Sequence, residues 1–93
     1  EDFSAYDYDI RNYPNPFNNQ TTIEFSLTQR GHVTIKIYNL LGQEICSLVN
    51  SEQAPGKYKL VWNSEDYSVG SGLYFIELKV GKMRKLIKCM MLK

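Results

Sequence analysis

Apolar and polar residues alternate with a period of two along most of the chain, which predicts half-buried β-strands. The clearest segment places Val33, Ile35 and Ile37 on one face, and β-branched residues suit a pleated surface. Comparable alternation marks four segments, near residues 23–27, 33–37, 58–62 and 74–80. No segment has the spacing and caps of an amphipathic helix, so the pattern predicts an all-β domain.

Two further segments are apolar but lack clean alternation. The run from Glu44 to Val49 is extended with a broken pattern, which indicates a bulge or an edge position. In the last run, from Met83 to Leu92, Lys85 and Lys88 fall on opposite faces of a strand. We therefore expect a bulge in that strand.

Turn residues separate these segments at fairly even spacing, which predicts an immunoglobulin-like antiparallel β-sandwich of about seven strands. A small closed barrel is the alternative. The two prolines of Tyr13-Pro14-Asn15-Pro16-Phe17-Asn18 predict an extended entry arm. We expect residues 1–12 to be a linker or extended arm and residues 13–93 to form the sandwich.

Composition restricts the class of protein. The chain has 93 residues, 43% of them hydrophobic and 23% charged, which is typical of one globular domain. No stretch reaches the roughly 20 apolar residues of a membrane-spanning helix. We expect an export signal to lie upstream, because the chain itself shows none.

The net charge of +1 argues against a nucleic-acid partner, but the charges are unevenly distributed. Acidic residues dominate the start, and lysines dominate the end from Lys79 onward. The basic end is either a recognition feature or an edge strand that uses lysines against unwanted pairing.

Candidate catalytic residues are few. The single histidine, His32, has an outward position, which predicts a surface residue. Glu65 and Asp66 share one loop with no sign of a pocket, and no phosphate-binding or zinc motif occurs. The sequence predicts no catalysis, no metal site and no cofactor.

Cysteine and aromatic residues leave alternatives open. Cys46 and Cys89 lack metal or redox spacing, and they are either a disulfide or two separate thiols. The positions of Tyr58, Trp62 and Tyr74 predict core residues. The aromatic residues that could form exposed platforms for sugars are Tyr38, Tyr67 and Phe75.

Five motifs in order resemble a known family. They are Tyr13 to Asn18 with Thr21-Thr22-Ile23, Val33 to Glu44, Pro55-Gly56 with Val61-Trp62-Asn63, Ser71 to Phe75, and Lys88 to Lys93. Together they resemble the type A C-terminal sorting domains of the Bacteroidetes type IX (Por) secretion system, which are related to the immunoglobulin-like domain of the flagellar hook-capping protein.

The resemblance implies a non-catalytic domain that follows a larger exported enzyme or adhesin. Such a protein would cross the periplasm, meet the outer-membrane secretion machinery and be attached to the cell surface or released. The implied recognition residues lie in the C-terminal hairpin: Gly72, Tyr74, Gly81, Lys88 and Leu92. We expect an exposed last strand to offer unpaired backbone groups and positive charge to a partner. The alternative is a passive or carbohydrate-binding accessory module of a secreted polysaccharide-degrading enzyme.

Overall fold

Two antiparallel sheets packed face to face form the domain in a computed structural model that describes residues 9–67 and 69–92. The seven strands are β1 (Asp9–Tyr13), β2 (Gln20–Leu27), β3 (Gly31–Asn39), β4 (Glu44–Gln53), β5 (Gly56–Asn63), β6 (Gly72–Val80) and β7 (Met83–Met91). A short 3-10 turn (Ser64–Tyr67) follows β5. The predicted all-β sandwich is confirmed.

Strand order places the recognition hairpin at a sheet edge. One sheet has three strands in the order β1-β2-β5, and the other has four in the order β4-β3-β6-β7. In constant-type immunoglobulin domains the fourth strand joins the first, second and fifth; here it pairs with β3 instead. The sheets are separate, so the closed barrel is wrong. No helix in residues 9–67 and 69–92 is long and apolar enough to cross a membrane.

The core lies between the sheets and contains the inward residues that alternation predicted. Trp62 is fully buried, and its ring centroid lies 5.5 Å from those of both Phe17 and Tyr74. Tyr58 is half-buried and stacks on Phe25 at 5.0 Å. The prediction of core positions is therefore confirmed for Trp62 and Tyr74. Tyr58 packs against the core but is only partly buried.

Both explanations for the broken pattern in β4 are correct. This strand is the edge of the four-stranded sheet, and its pairing with β3 shifts register between Ile35 and Lys36 and again between Ile37 and Tyr38. Each shift moves side chains between faces, which disrupts the two-residue period.

The bulge expected in the last strand is wrong. Strand β7 pairs with β6 in continuous register from Met83 opposite Val80 to Met91 opposite Gly72. Lys85 lies on the inward parity opposite Leu78, and Lys88 lies on the outward parity opposite Phe75. An inward lysine is tolerated because β7 is an edge strand, where its long stem can cover apolar surface while the amine reaches water.

The N-terminal segment contributes more to the fold than the sequence indicated. Strand β1 begins at Asp9 and buries Ile10, so part of the segment expected as a linker or extended arm lies in the three-stranded sheet. Beyond it, Phe17 is only 1% exposed and forms a bridge to Met91. Residues 1–8 lie outside the described ranges.

Candidate recognition surface

The five hairpin residues implied by the family resemblance have different environments. Tyr74 belongs to the core at 7% exposure, and its hydroxyl donates to the carbonyl of Gly70 at 2.7 Å. Gly72 begins β6, and Gly81 forms the hairpin turn with a φ of 58°, which favours glycine. These three residues shape the hairpin from within or from its turns.

Lys88 and Leu92 are the two members of this set whose side chains are exposed. Lys88 lies on the outer face of the four-stranded sheet, directly opposite Phe75. Leu92 follows the end of β7 and is half exposed. A partner that reads the hairpin can contact these two side chains directly.

The structure brings together two of the three aromatic residues considered as platforms. Tyr38 and Phe75 are register partners on β3 and β6, and both are partly exposed on the outer face. Tyr67 lies in the 3-10 turn, where its hydroxyl interacts with the thiol of Cys46. Only Tyr38 and Phe75 therefore share a surface.

A polar network holds Tyr38 in place beside this surface. Its hydroxyl donates to Glu77 Oε1 at 3.1 Å, and Arg84 Nε donates to Glu77 Oε2. Burial acts to raise the pKa of Glu77, but the hydrogen bonds from Arg84 and Tyr38 outweigh it, and the pKa is lowered. Glu77 is therefore an ionised carboxylate whose charge is matched by Arg84.

A well-ordered turn presents two leucines at the end of β3. The side-chain oxygen of Asn39 accepts hydrogen bonds from the backbone amides of Leu41 and Gln43, both at 2.9 Å. Gly42 has a φ of 83°, which completes the turn. Leu40 and Leu41 consequently project into solvent, 66% and 82% exposed.

Several of these features lie together on the outer side of the four-stranded sheet. A shallow groove of about 240 Å³ is lined by Tyr38, Gly42, Phe75, Arg84 and Leu86. It connects the leucine turn with the outward side chains of β7. The surface, which we call the apolar patch, consists of Tyr38, Leu40, Leu41, Phe75, Leu86 and Met90. Contiguous exposed apolar surface of this kind marks interaction sites more often than scattered single residues do.

The outer face of the three-stranded sheet is different in character. Glu24 forms ion pairs there with Arg11 at 2.5 Å and with Lys59 at 3.5 Å. Val61 is exposed on the same sheet, but its neighbours across β2 and β5 are polar. The two faces therefore offer a partner different chemistry.

Basic residues lie beside the apolar patch. Residues 72–91 contain five bases and one acid, Glu77, which is matched by Arg84. Within the part of the chain that the structure describes, the remaining bases of this hairpin form no ion pair; they are Lys79, Lys82, Lys85 and Lys88. Lys79 and Lys88 are on the same outward face as the patch, whereas Lys85 is on the inward parity of β7.

A segment from the other end of the chain covers the free edge of β7. The side chain of Asn15 donates from Nδ2 to the carbonyl of Lys88 at 3.2 Å and accepts at Oδ1 from the amide of Met90 at 3.0 Å. The backbone of Phe17 donates to the carbonyl of Met90 at 3.0 Å and accepts from the amide of Leu92 at 2.8 Å. We call these four bonds the clasp.

The clasp corrects one expectation about the last strand. Unpaired backbone groups were expected along this strand. On the edge away from β6, however, the carbonyls of Lys88 and Met90 and the amides of Met90 and Leu92 are already hydrogen-bonded. Strand addition by a partner is therefore blocked at this end of β7. Side chains, rather than backbone groups, are what β7 offers near Lys88.

The other candidate residues do not form a site. His32 is exposed and its Nε2 lies 2.6 Å from Asn50 Oδ1. Glu65 and Asp66 are exposed in the 3-10 turn, and the groove lined by His32 contains neither of them. Among residues 9–67 and 69–92, no group of three potential ligands is close enough to hold a metal ion.

The two cysteines are separate thiols in the structure. Cys46 is on β4 and Cys89 is on β7, at opposite edges of one sheet. Three strand spacings of about 4.8 Å place them roughly 14 Å apart, beyond the roughly 7 Å Cα separation that a disulfide tolerates. Burial raises the pKa of the Cys89 thiol to about 12.

Some residues of this surface could not be assigned from sequence alone. Leu86 and Met90 can be assigned to the outer face only once the register of β7 is known. Leu40 and Leu41 belong to a motif that the sequence indicated, but as a turn rather than as contact residues. The exposed turn position of two adjacent leucines was the available signal.

Comparisons with known proteins agree with this architecture. No curated protein sequence matches the chain. A solved structure of PorZ from Porphyromonas gingivalis, described as an essential bacterial surface component of the type IX secretion system, matches with a TM-score of 0.66 and 21% identity. The match covers 98% of this chain and 12% of PorZ, so the two share a fold over a small part of the larger protein.

Sequence comparison gives the family. Residues 11–93 match the family described as the secretion system C-terminal sorting domain. This match includes the clasp, the leucine turn and the C-terminal hairpin. The chain therefore belongs to the family of secretion system C-terminal sorting domains, whose role is in secretion targeting.

Proposed function

We propose that this chain is a non-catalytic domain that directs a larger exported protein through the type IX system to the cell surface. The cargo lies on its N-terminal side, and the partner is the outer-membrane secretion machinery. The observation that carries the proposal beyond family membership is the apolar patch with the lysines Lys79 and Lys88 on the same face. Such a surface suits a protein partner that is apolar and acidic at the contact.

A reporter assay tests this function directly. A reporter with an N-terminal signal peptide is joined to the whole 93-residue chain and produced in a bacterium that has a type IX system. We expect the reporter at the cell surface, measured by protease accessibility on intact cells. Retention of the folded reporter in the periplasm would contradict the proposal.

Matched variants test which surface is read. Leu86→Ser and Val61→Ser remove exposed apolar side chains of similar exposure, 47% and 51%, from opposite sheets. We expect Leu86→Ser to reduce surface display and Val61→Ser to leave it unchanged. Lys88→Glu and Lys57→Glu form a second pair, in which the same charge change is made on the two sheets. An equal loss of surface display within either pair would contradict recognition through the four-stranded sheet.

Carbohydrate binding is the second candidate, because Tyr38 and Phe75 lie side by side on an open face. Adjacent aromatic residues can stack on a sugar ring. This function predicts heat of binding in calorimetry with plant polysaccharides and its loss in Phe75→Ala. Heat that persists in Phe75→Ala would exclude this platform as the binding site.

A further inference from the structure

We propose that Asn15 is a positioning residue for the recognition surface, although it lies 73 residues before Lys88 in the sequence. This inference rests on the proposed function, because it concerns how the surface is held in the form that the machinery reads. Asn15 would act on recognition through β7 and not by contact with the partner.

The geometry of Asn15 is that of a substitute strand residue. The side-chain amide of asparagine carries N–H donors and a carbonyl acceptor, so it can offer a donor and an acceptor side by side, as a residue of a paired strand does with its own N–H and C=O. Asn15 uses both on the free edge of β7, on the carbonyl of Lys88 and the amide of Met90. Neither alanine nor aspartate can supply both bonds.

The consequence for the surface follows from the position of these bonds. On its other side, β7 is held only by β6. The end of an edge strand with one partner frays readily, since few contacts oppose its opening. The clasp gives the backbone around Lys88, Met90 and Leu92 a second partner and so fixes where the exposed side chains of Lys88, Met90 and Leu92 stand.

The fold also explains why Asn15 lies next to β7 and can form both hydrogen bonds with it. Phe17 is anchored in the core against Trp62, and Pro14 and Pro16 restrict the backbone on both sides of Asn15. Asn15 is therefore delivered to β7 by a constrained segment. The opening motif and the C-terminal hairpin act as one structural unit.

Amide hydrogen exchange in the wild-type chain provides the first test. In an antiparallel edge strand alternate residues point away from the partner strand, so the amides of Leu86, Met90 and Leu92 all face the free edge. We expect the amides of Met90 and Leu92 to exchange far more slowly than that of Leu86. Equal exchange at all three positions would overturn the inference whatever the variants do.

Asn15→Ala and Asn15→Asp are the informative variants. Loss of one hydrogen bond should speed exchange of the Met90 amide about fivefold in Asn15→Ala. Asn15→Asp retains an acceptor for that amide but loses the donor to Lys88, so the Met90 amide should stay protected. If Asn15→Ala fails to fold, Asn15→Asp still reports whether losing the Lys88 bond lowers display.

Surface display of the reporter then separates positioning from general stability. The matched control is Asn12→Ala, which removes another asparagine hydrogen bond, to Thr21 Oγ1 at 3.1 Å, a bond that involves no atom of β7. We expect display to fall in Asn15→Ala, to be intermediate in Asn15→Asp and to be unchanged in Asn12→Ala. Equal display in Asn15→Ala and Asn12→Ala would overturn the inference. If the wild-type chain itself is not displayed, the proposed function fails, while hydrogen exchange still tests the clasp.

Discussion

Glu77 is a single side chain whose ionisation affects the stability of this domain. It is on the outer face of β6, yet Tyr38 and Arg84 cover it and leave its side chain 9% exposed. Removing only one partner from such a site leaves a poorly solvated charge. The network therefore links the stability of the four-stranded sheet to the ionisation of one carboxylate.

This linkage predicts a specific pH dependence. The pKa of Glu77 is lower in the folded chain than its ordinary value of 4.5, so ionisation of Glu77 stabilises the fold at neutral pH. That contribution declines as the pH falls below 4.5 and is lost below the lowered value. We expect Glu77→Gln to show a shallower loss of stability in acid than the wild type, measured by urea unfolding at several pH values. The control is Glu65→Gln, which removes an exposed carboxylate elsewhere; an unchanged acid limb in Glu77→Gln would exclude the linkage.

In the core, Trp62 is the side chain that we expect to contribute most to stability. Its ring is fully buried between Phe17 and Tyr74, and its Nε1 has no hydrogen-bond partner among the described residues. We expect Trp62→Ala to lower the free energy of unfolding by about 3–5 kcal/mol. Val61→Ala, next to it but exposed, should cost under about 1 kcal/mol. Denaturant titration checks both values, and similar losses would show that Trp62 is not central to the packing.

Strands differ in how far the sequence predicts them. Strands β2, β3, β5 and β6 each have one buried face, and their alternation is regular enough to assign inward positions. Strand β7 was harder, because Lys85 occupies an inward position that only an edge strand permits. The clasp was not predictable, since a side-chain amide takes the place of a strand residue and its partners are more than 70 residues away.

Strand β1 provides a test at the level of a secondary-structure element. Ile10 is 5% exposed within a segment that the sequence alone suggested as a linker or extended arm. We expect Ile10→Ala to cost about 2–5 kcal/mol of unfolding free energy, as for other buried isoleucines. Arg11→Ala, which breaks an exposed ion pair, should lower the free energy of unfolding much less than Ile10→Ala does. A loss below about 0.5 kcal/mol for Ile10→Ala would mean that β1 adds little to the fold.

The domain as a whole is held by packing and hydrogen bonds, with its two cysteines on opposite edges of one sheet. We therefore expect reducing agent to leave the unfolding midpoint unchanged. In the folded chain a thiol reagent should modify the partly exposed Cys46 well before the buried Cys89, whose pKa is raised. Mass spectrometry of labelled peptides measures both rates. A peptide in which Cys46 is linked to Cys89 would contradict the sheet order.

The separation of the two clasp segments along the chain has a further consequence. A polypeptide that stops before Lys88 lacks the part of β7 to which Asn15 and Phe17 bond, and it also lacks the residues that pair with the first four residues of β6. The clasp can therefore close only after Leu92 has been made. Under the proposed function, a polypeptide cut short within β7 would present an incomplete recognition surface, and we expect its reporter not to be displayed.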